Sequence, residues 1–231
     1  MNNHEIFTKL FLEFEEETKK RVDKNLTLEE CTNKLKEKGY NPYVREDSFI
    51  DFCRRLRNMN FHNVNDDYYL ITDNTIEKLE KIVEEVKHPF KVENKATKNV
   101  FSACLDDNVL DVMKKMNENN YTHIPIYLDN SKKELVGIFS ENSIFQYLLK
   151  DKIIEVDEDK KFSDIKECIA FDNSKEIVKF VKRDKLYDDV VNDFVKEFKA
   201  GKKLSCVMVT HSGSKTEKVI GILTSWDIIG R

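Results

Sequence analysis

The stretch Gly221–Asp227, which reads GILTSWD, decides the fold, because a variant of it stands earlier in the same chain. The earlier copy, Gly137–Ser143, reads GIFSENS. Each copy has a glycine, a short apolar run, a hydroxyl residue, two spacers and a polar residue. An internal repeat fixes the architecture before any single residue is interpreted. The C-terminal part is therefore predicted to be built twice from one small unit, which favours a paired binding module over a single-site enzyme.

Short strands alternate with helices around both copies of this stretch, in the order β-α-β-β-α. The first unit is predicted to contain a helix at 109–116, strands at 122–127 and 135–139, and a helix that runs to Leu149. The second is predicted to contain strands at 177–181, 205–210 and 219–223, a helix at 187–198, and the start of a last helix. Each unit is too small to bury a sufficient core alone, so the two are expected to pack on each other.

The first third of the chain has helical periodicity instead. Ile6, Leu10, Phe11 and Phe14 recur at helical spacing, and further amphipathic segments follow up to about residue 88. Residues 90–99 are polar and weakly patterned, which indicates a linker. The predicted fold class is α+β, with an N-terminal helical bundle at 1–92 and two β-α-β-β-α repeats, at 97–155 and 156–231, packed as a pair.

Composition excludes several classes of protein. Of the 231 residues, 40% are hydrophobic and 35% are charged, and the net charge of −4 combines interspersed signs. This balance gives no global attraction to nucleic acid or to anionic membranes. No apolar run approaches the roughly 20 residues that span a bilayer, and no signal peptide is visible. We expect a cytoplasmic protein.

The cysteines and glycines give no sign of a metal site or of a glycine-rich phosphate loop. The five cysteines are scattered and never form a C-x-x-C pair, so they are predicted to be small buried residues in a reducing compartment. The six glycines form neither a G-x-G-x-x-G nor a Walker-type loop. No metal and no required cofactor are expected.

The repeat resembles a tandem pair of CBS domains, the Bateman module, over about residues 99–231. Three phrases carry the resemblance: NYTHIPIY at 120–127, GIFSEN at 137–142, and the G-h-h-T-x-x-D phrase at 221–227. In members that bind adenosine nucleotides, the aspartate accepts from ribose hydroxyls, and the threonine and helix N-terminal amides hold a phosphate. The resemblance thus implies that Thr224 and Asp227 bind a nucleotide.

The two copies differ at the position of this aspartate. Thr224 and Asp227 can also act as the cap of the last helix, a role compatible with ligand binding. In the first repeat Ser143 replaces the aspartate and Ser140 the threonine, and a serine lacks the charge of a strong acceptor. The first site is therefore expected to be weaker, to bind a different ligand, or to be empty, with one occupied site per pair.

Further ligand-binding candidates lie near strand ends and turns. Lys182 and Arg183 can neutralise a phosphate, although an ordinary solvated strand end has the same pattern. Thr210 can contact a base, and Tyr121 and Trp226 are candidate adenine neighbours, although each also suits a packing role. Pro125 marks the matching edge of the first repeat, beside a histidine that we expect to be tucked in and satisfied.

The sequence Arg57-Asn58-x-x-x-His62 lies at the predicted end of a helix. It resembles the R-x(4–6)-H signature of HEPN domains, over about residues 6–89. In catalytically active members the arginine and histidine cut RNA without a metal, which would make Arg57 and His62 catalytic. The alternative is a structural motif that ties the helix end to the next loop. Acidic residues nearby argue against RNA as a partner.

These observations predict a regulatory protein whose CBS pair binds an adenosine-containing nucleotide, namely AMP, ADP, ATP or S-adenosylmethionine, and modulates the helical domain or a partner. One alternative is a metal-independent HEPN-type ribonuclease gated by the CBS pair. Another is a dimerisation scaffold with vestigial sites. A homodimer is expected through the CBS helices, with those at 109–116 and 187–198 as candidates and the helical domain as a further candidate. No membrane partner is expected.

Overall fold

A computed structural model describes residues 2–62, 70–151, 156–171 and 176–229. The side chains at 60–62, 151 and 229 are outside this description. The chain divides into two compact units, one up to Phe90 and one from Lys91 onward. Their cores are built from different elements.

The first unit is helical. Its helices are α1 (Asn3–Arg21), α2 (Leu28–Glu37), α3 (Asp47–His62) and α4 (Asp73–Lys87). Phe7, Phe11 and Phe14 of α1 are buried against apolar residues of α4, such as Leu79 and Val83. The predicted helical periodicity of the first third is thus confirmed, and the apolar stripes of the helices form one core.

The ends of these helices are fixed by side-chain caps. Thr27 and Glu30 form a capping box, in which Glu30 N donates to Thr27 Oγ1 at 3.2 Å and Thr27 N donates to Glu30 Oε2 at 2.8 Å. The Thr72 hydroxyl likewise caps α4 by accepting from Thr75 N at 3.3 Å. These bonds satisfy amide groups that a helix leaves without partners.

The second unit contains two repeats of the same element order. The first has β1 (Ala103–Cys104), α6 (Val109–Asn119), β2 (His123–Tyr127), β3 (Leu135–Ser140) and α7 (Glu141–Asp151). Strand β1 pairs parallel with β2, and β2 pairs antiparallel with β3. The three strands bury α6 against one face through Val109, Val112 and Met116.

The second repeat follows the same plan. It has β4 (Ile177–Lys182), α9 (Tyr187–Lys199), β5 (Leu204–Thr210), β6 (Gly221–Thr224) and α10 (Ser225–Ile229). Strand β4 pairs parallel with β5, and β5 pairs antiparallel with β6. All seven residues of β5 are buried, as expected for a central strand covered on both faces.

The segment predicted as a linker at 90–99 is part of the second repeat, so that prediction is wrong. Residues Val92–Lys95 form α5, and Val92 is fully buried in the core that contains Val190, Val207 and Leu223. Thr97 forms a bridge with Ile222 of β6. The segment appeared polar because only Val92 and Ala96, four residues apart, face the core.

The connection between the repeats packs onto the first repeat, whereas α5 packs onto the second. A 3₁₀ turn (Phe162–Ile165) and α8 (Lys166–Ile169) belong to the first core. Gly137 of β3 lies so close to this connection that a Cβ there would collide with the carbonyl oxygen of Ile169. Helix α5 thus covers the second repeat although it precedes the first, and the 3₁₀ turn and α8 cover the first repeat although they precede the second.

The two repeats share a buried layer between their sheets. Ile138 of the first repeat packs with Cys206, Met208 and Ile222 of the second. The Tyr127 hydroxyl accepts a hydrogen bond from Val219 N at 3.1 Å across this layer. The repeats are thus packed as a pair.

Two other expectations concern burial and membranes. All five cysteines are buried, as predicted, and burial raises the pKa of the Cys53 thiol to about 12. Within the described ranges, no helix combines the length and the apolar character needed to cross a membrane.

The packing of α5 predicts the effect of Val92→Ala. Removing two buried methyl groups is expected to lower the free energy of unfolding by about 2 kcal/mol. Lys98→Ala, at an exposed position of the same segment, is expected to change it by less than about 0.5 kcal/mol. Urea denaturation of both variants measures the difference, and equal small effects would mean that the segment is a linker after all.

Candidate ligand-binding clefts of the tandem repeat

Two clefts lie where β3 and β6 end. The first, here called the Asp227 cleft, has a volume of about 650 Å³ and contains residues of both repeats. Its walls comprise Thr97, Met113, Met116, Asn117, Asn120, Tyr121, Thr122, His123, Glu141, Ile144, Ile222, Thr224, Trp226 and Asp227. The carboxylate of Asp227 and the aromatic rings of Tyr121 and Trp226 give it both polar and apolar surface.

The carboxylate of Asp227 is held at the start of α10. Its Oδ2 accepts from Thr224 N at 2.8 Å and from Thr224 Oγ1 at 3.0 Å. Its Oδ1 lies 3.5 Å from Thr97 Oγ1, a long contact. The capping interpretation of these two residues thus has a geometric basis, and it leaves Oδ1 with room for a further donor.

The opposite wall of the Asp227 cleft comes from the first repeat. Asn120 ends α6 in a left-handed conformation, which asparagine tolerates better than most residues, and thereby turns the chain into the cleft. Tyr121 follows and stacks on Phe101 with ring centroids 5.8 Å apart. Trp226, which is 69% exposed, also lines the cleft and belongs to the second repeat. The wall therefore offers a flat ligand an aromatic side chain from each repeat.

The second cleft is here called the Glu176 cleft, and its volume is also about 650 Å³. Its walls comprise Thr122, His123, Ser140, Glu141, Asn142, Glu176, Phe194, Val195, Phe198, Lys199, Lys202, Lys203, Leu204, Ser205, Ser225, Trp226 and Ile228. Trp226 thus lies between the two clefts. The loss of the aspartate at Ser143 has not closed the cleft of the first repeat.

Glu176 supplies a carboxylate where the first repeat lacks one. Ser140 Oγ donates to Glu176 Oε2 at 2.7 Å, as Thr224 Oγ1 does to Asp227. Lys203 Nζ lies 3.2 Å from Glu176 Oε1. The Glu176 side chain is only 4% exposed, so its charge acts in a medium that screens it poorly.

His123 lies beside Glu176, and its side chain is 11% exposed. Its Nδ1 is 2.9 Å from Thr122 Oγ1, and its Nε2 is 3.9 Å from Glu176 Oε1. Nε2 is buried and has no hydrogen-bond partner among the described residues, so the expected satisfied histidine is satisfied at one nitrogen only. Burial lowers the pKa of His123, while the charge of Glu176 acts in the opposite direction.

Several predicted ligand-binding residues lie outside the two clefts. Lys182 pairs with Asp184, and Arg183 lies 3.8 Å from Glu93, so both cations face other parts of the surface. Thr210 is fully buried, and its hydroxyl accepts from Gly213 N at 3.0 Å. Thr210 therefore fixes the turn after β5, which agrees with the packing role considered for this residue.

Pro125 and Ser143 also do not line either of the two large clefts. Pro125 lines a smaller cleft of about 400 Å³, together with Tyr127, Lys132 and His211. Ser143 is buried and accepts from Ser140 N at 3.2 Å, which repeats the capping bond of the second repeat with a neutral partner. Five of the predicted residues line the two large clefts, namely Ser140, Tyr121, Trp226, Thr224 and Asp227.

The Arg57–His62 motif belongs to the helical unit. Arg57 is half-buried, with Nη1 at 3.4 Å from Asn58 Oδ1 and Nη2 at 3.9 Å from Glu15 Oε2. His62 is the last residue of α3, and its side chain lies outside the described part of the chain. The catalytic role of the pair therefore stays a prediction from the sequence.

Two residues of the clefts were not found from the sequence. Thr97 lay in the supposed linker, and Glu176 in a charged connection, where one carboxylate among many carries no signal. Position relative to the strand could have given a hint, since Glu176 directly precedes β4. Among the described side chains, no three of His, Cys, Asp and Glu gather as a metal site.

Comparison with known families gives a match for the first repeat. Residues 92–150 match the family model described as CBS domain. This match covers less than half of the chain, but it starts at α5 and ends within α7. Together with the repeated element order it supports a tandem pair of CBS domains. Among curated proteins, none matches the chain.

Three solved structures resemble part of the chain. The CBS domain pair of protein MJ0100, in complex with 5′-methylthioadenosine and S-adenosyl-L-methionine, is 25% identical and covers 61% of this chain and 93% of its own, with a TM-score of 0.44. CBSX2 in complex with AMP is 17% identical, covers 61% and 94%, and has a TM-score of 0.41. Hypoxic Response Protein I, with two coordinated zinc ions, is 15% identical, covers 62% and 98%, and has a TM-score of 0.43.

The burial of His123 predicts how stability depends on pH. Because burial lowers its folded-state pKa, the unfolded chain binds a proton more readily, and stability falls as the pH falls below about 6.5. The charged groups around it are Glu176, Lys203 and Glu141. His123→Gln is expected to lose less stability than the wild type between pH 7.5 and pH 5.5.

Urea midpoints at the two pH values measure this loss. His88→Gln, at an exposed position that ends α4, provides the matched histidine substitution. If His123→Gln and the wild type lose the same stability between the two pH values, His123 does not control the acid sensitivity.

Proposed function

We propose that the tandem repeat is a regulatory sensor that binds an adenosine-containing nucleotide in the Asp227 cleft. The observation that carries this proposal is the Asp227 carboxylate, held by Thr224 at the wall of a cleft that aromatic side chains flank. A carboxylate with a free oxygen suits the two hydroxyls of a ribose, because each can donate a hydrogen bond to it.

The size and lining of the cleft support the same ligand class. A volume of about 650 Å³ lies within the range of small-molecule sites. Tyr121 and Trp226 offer aromatic faces for a base, and the amides of Asn117 and Asn120 can recognise its edge. Among the candidates, AMP, ADP, ATP and S-adenosylmethionine share the adenosine group that these contacts would bind.

The first contact that ligand binding would change is that between Thr97 and Asp227. Thr97 contacts Asp227 Oδ1 at 3.5 Å and lies in the segment that directly follows the helical unit in sequence. A ribose hydroxyl that donates to Oδ1 would share this oxygen with Thr97 and so change the long contact. A ligand can shift the protein between two states only by binding them with different affinity, and this contact provides one such difference.

Ligand binding to the tandem repeat would regulate the helical unit or a protein partner. The HEPN-like identity of this unit depends on the short Arg57–His62 motif, and the gated ribonuclease remains the alternative function. The acidic contact of Arg57 with Glu15 does not favour that alternative, because a phosphate would have to compete with a carboxylate.

The proposed role of Asp227 predicts that Asp227→Ala weakens AMP binding about 10- to 100-fold. The estimate follows from about 1.5–3 kcal/mol for hydrogen bonds to a charged group and a factor of ten per 1.4 kcal/mol. Trp226 is the sole tryptophan and lines the cleft, so its fluorescence reports the titration. Isothermal calorimetry gives the affinity independently.

Two controls separate ligand binding from helix capping. Asp159→Ala removes an exposed carboxylate outside both clefts and should leave AMP affinity unchanged. If Asp227 acts only as a cap, Asp227→Ala lowers the unfolding temperature and leaves the affinity of AMP at its wild-type value. That result would remove the nucleotide-sensor proposal for this cleft.

We also propose a homodimer through helices of the second unit. Large apolar side chains are exposed on α7 and α9, including Phe145 at 60%, Leu149 at 63% and Phe198 at 82%. The apolar side of α6, by contrast, is buried within its own repeat. The exposed apolar side chains support the predicted α9 as one helix of the dimer interface. They favour α7, rather than the predicted α6, as the other.

The dimer proposal predicts that Leu149→Glu weakens self-association by about tenfold or more, because it places a charge in an apolar interface. Leu128→Glu, in the turn after β2, is the matched control with a partly exposed leucine. Sedimentation velocity over a concentration series measures both. A wild-type protein that stays monomeric, or a Leu149→Glu variant that associates like the wild type, would contradict the proposal.

A further inference from the structure

We propose that a third cleft of the tandem repeat binds the phosphate group of a small ligand. This cleft, here called the Lys132 cleft, is the one of about 400 Å³ that Pro125 lines. It shares no lining residue with the Asp227 cleft or the Glu176 cleft. The proposal therefore concerns a different place in the fold from the nucleotide site and does not depend on it.

The Lys132 cleft lies at the edge of both sheets that is opposite to the two large clefts. Those clefts lie where β3 and β6 end. Because β2 runs antiparallel to β3, and β5 to β6, the connection within each pair of strands lies at the other edge. Lys132 comes from the connection between β2 and β3, and Lys218 from the connection between β5 and β6. The equivalent connection of each repeat thus supplies a lysine to one cleft.

The polar side chains of this cleft can all donate hydrogen bonds, and none of the described residues in its wall is acidic. They are those of Asn99, Ser102, Tyr127, Lys132, His211 and Lys218. Neither lysine ammonium group forms an ion pair or a hydrogen bond with another side chain in the described part of the chain. Two positive charges without a carboxylate in the same wall favour an anionic ligand.

Tyr127 provides a buried donor in this wall. The residue is 2% exposed, and its hydroxyl oxygen accepts from the amide nitrogen of Val219, which lines the same cleft. A phenol hydroxyl can donate as well as accept, and this one has no acceptor among the described residues. Burial raises the pKa of Tyr127, so the phenol keeps its proton at neutral pH. A phosphate oxygen in the cleft would provide the acceptor that this buried donor lacks.

Two residues of the wall have a backbone conformation that is uncommon outside glycine. The φ angle is 55° at Asn99 and 52° at Lys132, in the left-handed region. Asparagine tolerates this region, whereas a lysine adopts it rarely. Such strain costs free energy and clusters at functional sites, where it positions a group that binds or reacts. At Lys132 it accompanies a side chain with a free charge at the cleft.

The remaining wall is apolar and leaves two sources for the phosphate group. Val100, Pro125, Val219 and Ile220 line the cleft beside the donors. These residues can contact the carbon part of a phosphate ester, whereas inorganic phosphate would use the donors alone. The phosphate group is common to both ligands, and the lysines are expected to bind it in either case.

Two double variants with the same net charge provide the central test. Lys132→Asn with Lys218→Gln removes both charges of the cleft, and asparagine suits the left-handed backbone at position 132. Lys133→Asn with Lys215→Gln removes two exposed lysines of the same connections, outside the cleft. Calorimetry is expected to show that the first double variant binds phosphate about tenfold more weakly or less, and that the second changes the affinity by less than about twofold. The first should keep or exceed the unfolding temperature of the wild type, because its lysines have no partner to lose.

Inorganic phosphate, ribose 5-phosphate and uncharged ribose are the probes. Ribose should not bind. Equal affinity for the two phosphates would identify free phosphate as the ligand, and tighter binding of ribose 5-phosphate would identify a phosphate ester. Both results support the site if the loss of Lys132 and Lys218 weakens the binding.

Three results would overturn the proposal. The wild type could bind neither phosphate compound, or the two double variants could weaken binding equally, as non-specific attraction to surface lysines predicts. Binding could also be lost in Asp227→Ala and unchanged in both lysine variants, which would place it in the Asp227 cleft. AMP binding that Asp227→Ala alone removes would support the nucleotide site whatever happens in the Lys132 cleft.

Discussion

The structure of the tandem repeat depends on the exchange of two short segments between its halves. A three-stranded sheet with its helices leaves apolar surface at one edge, and neither repeat covers this edge with the residues that directly precede it. Instead α5 inserts Val92 into the core of the second repeat, and α8 inserts Ile169 into that of the first. Each half thus requires the other for its core, which explains why a β-α-β-β-α unit of this size occurs as a pair.

The same exchange determines what surrounds each cleft. It brings Thr97 within reach of Asp227, although the two residues are far apart in sequence. In the first repeat the carboxylate comes from Glu176, at the start of β4, and accepts from Ser140. In both repeats the hydroxyl at the strand end therefore donates a hydrogen bond to a carboxylate. Asp227 is close to its partner in sequence and is half-buried, whereas Glu176 is distant from its partner in sequence and is almost inaccessible to solvent.

This difference marks the limit of what the sequence could predict. Strands and helices followed from local periodicity, and the capping bond of Thr224 with Asp227 followed from a spacing of three residues. Glu176 and Thr97 act through contacts between segments that no local pattern connects. Lys182 and Arg183 show the converse, since they sit at a strand end as expected but pair with Asp184 and Glu93.

Trp226 makes the two clefts physically dependent on each other. It belongs to the wall of both, and it directly precedes Asp227 in α10. A ligand that stacks on this ring in one cleft restricts the positions that the ring can take in the other. By thermodynamic linkage, the effect of the first ligand on the second then equals the effect of the second on the first.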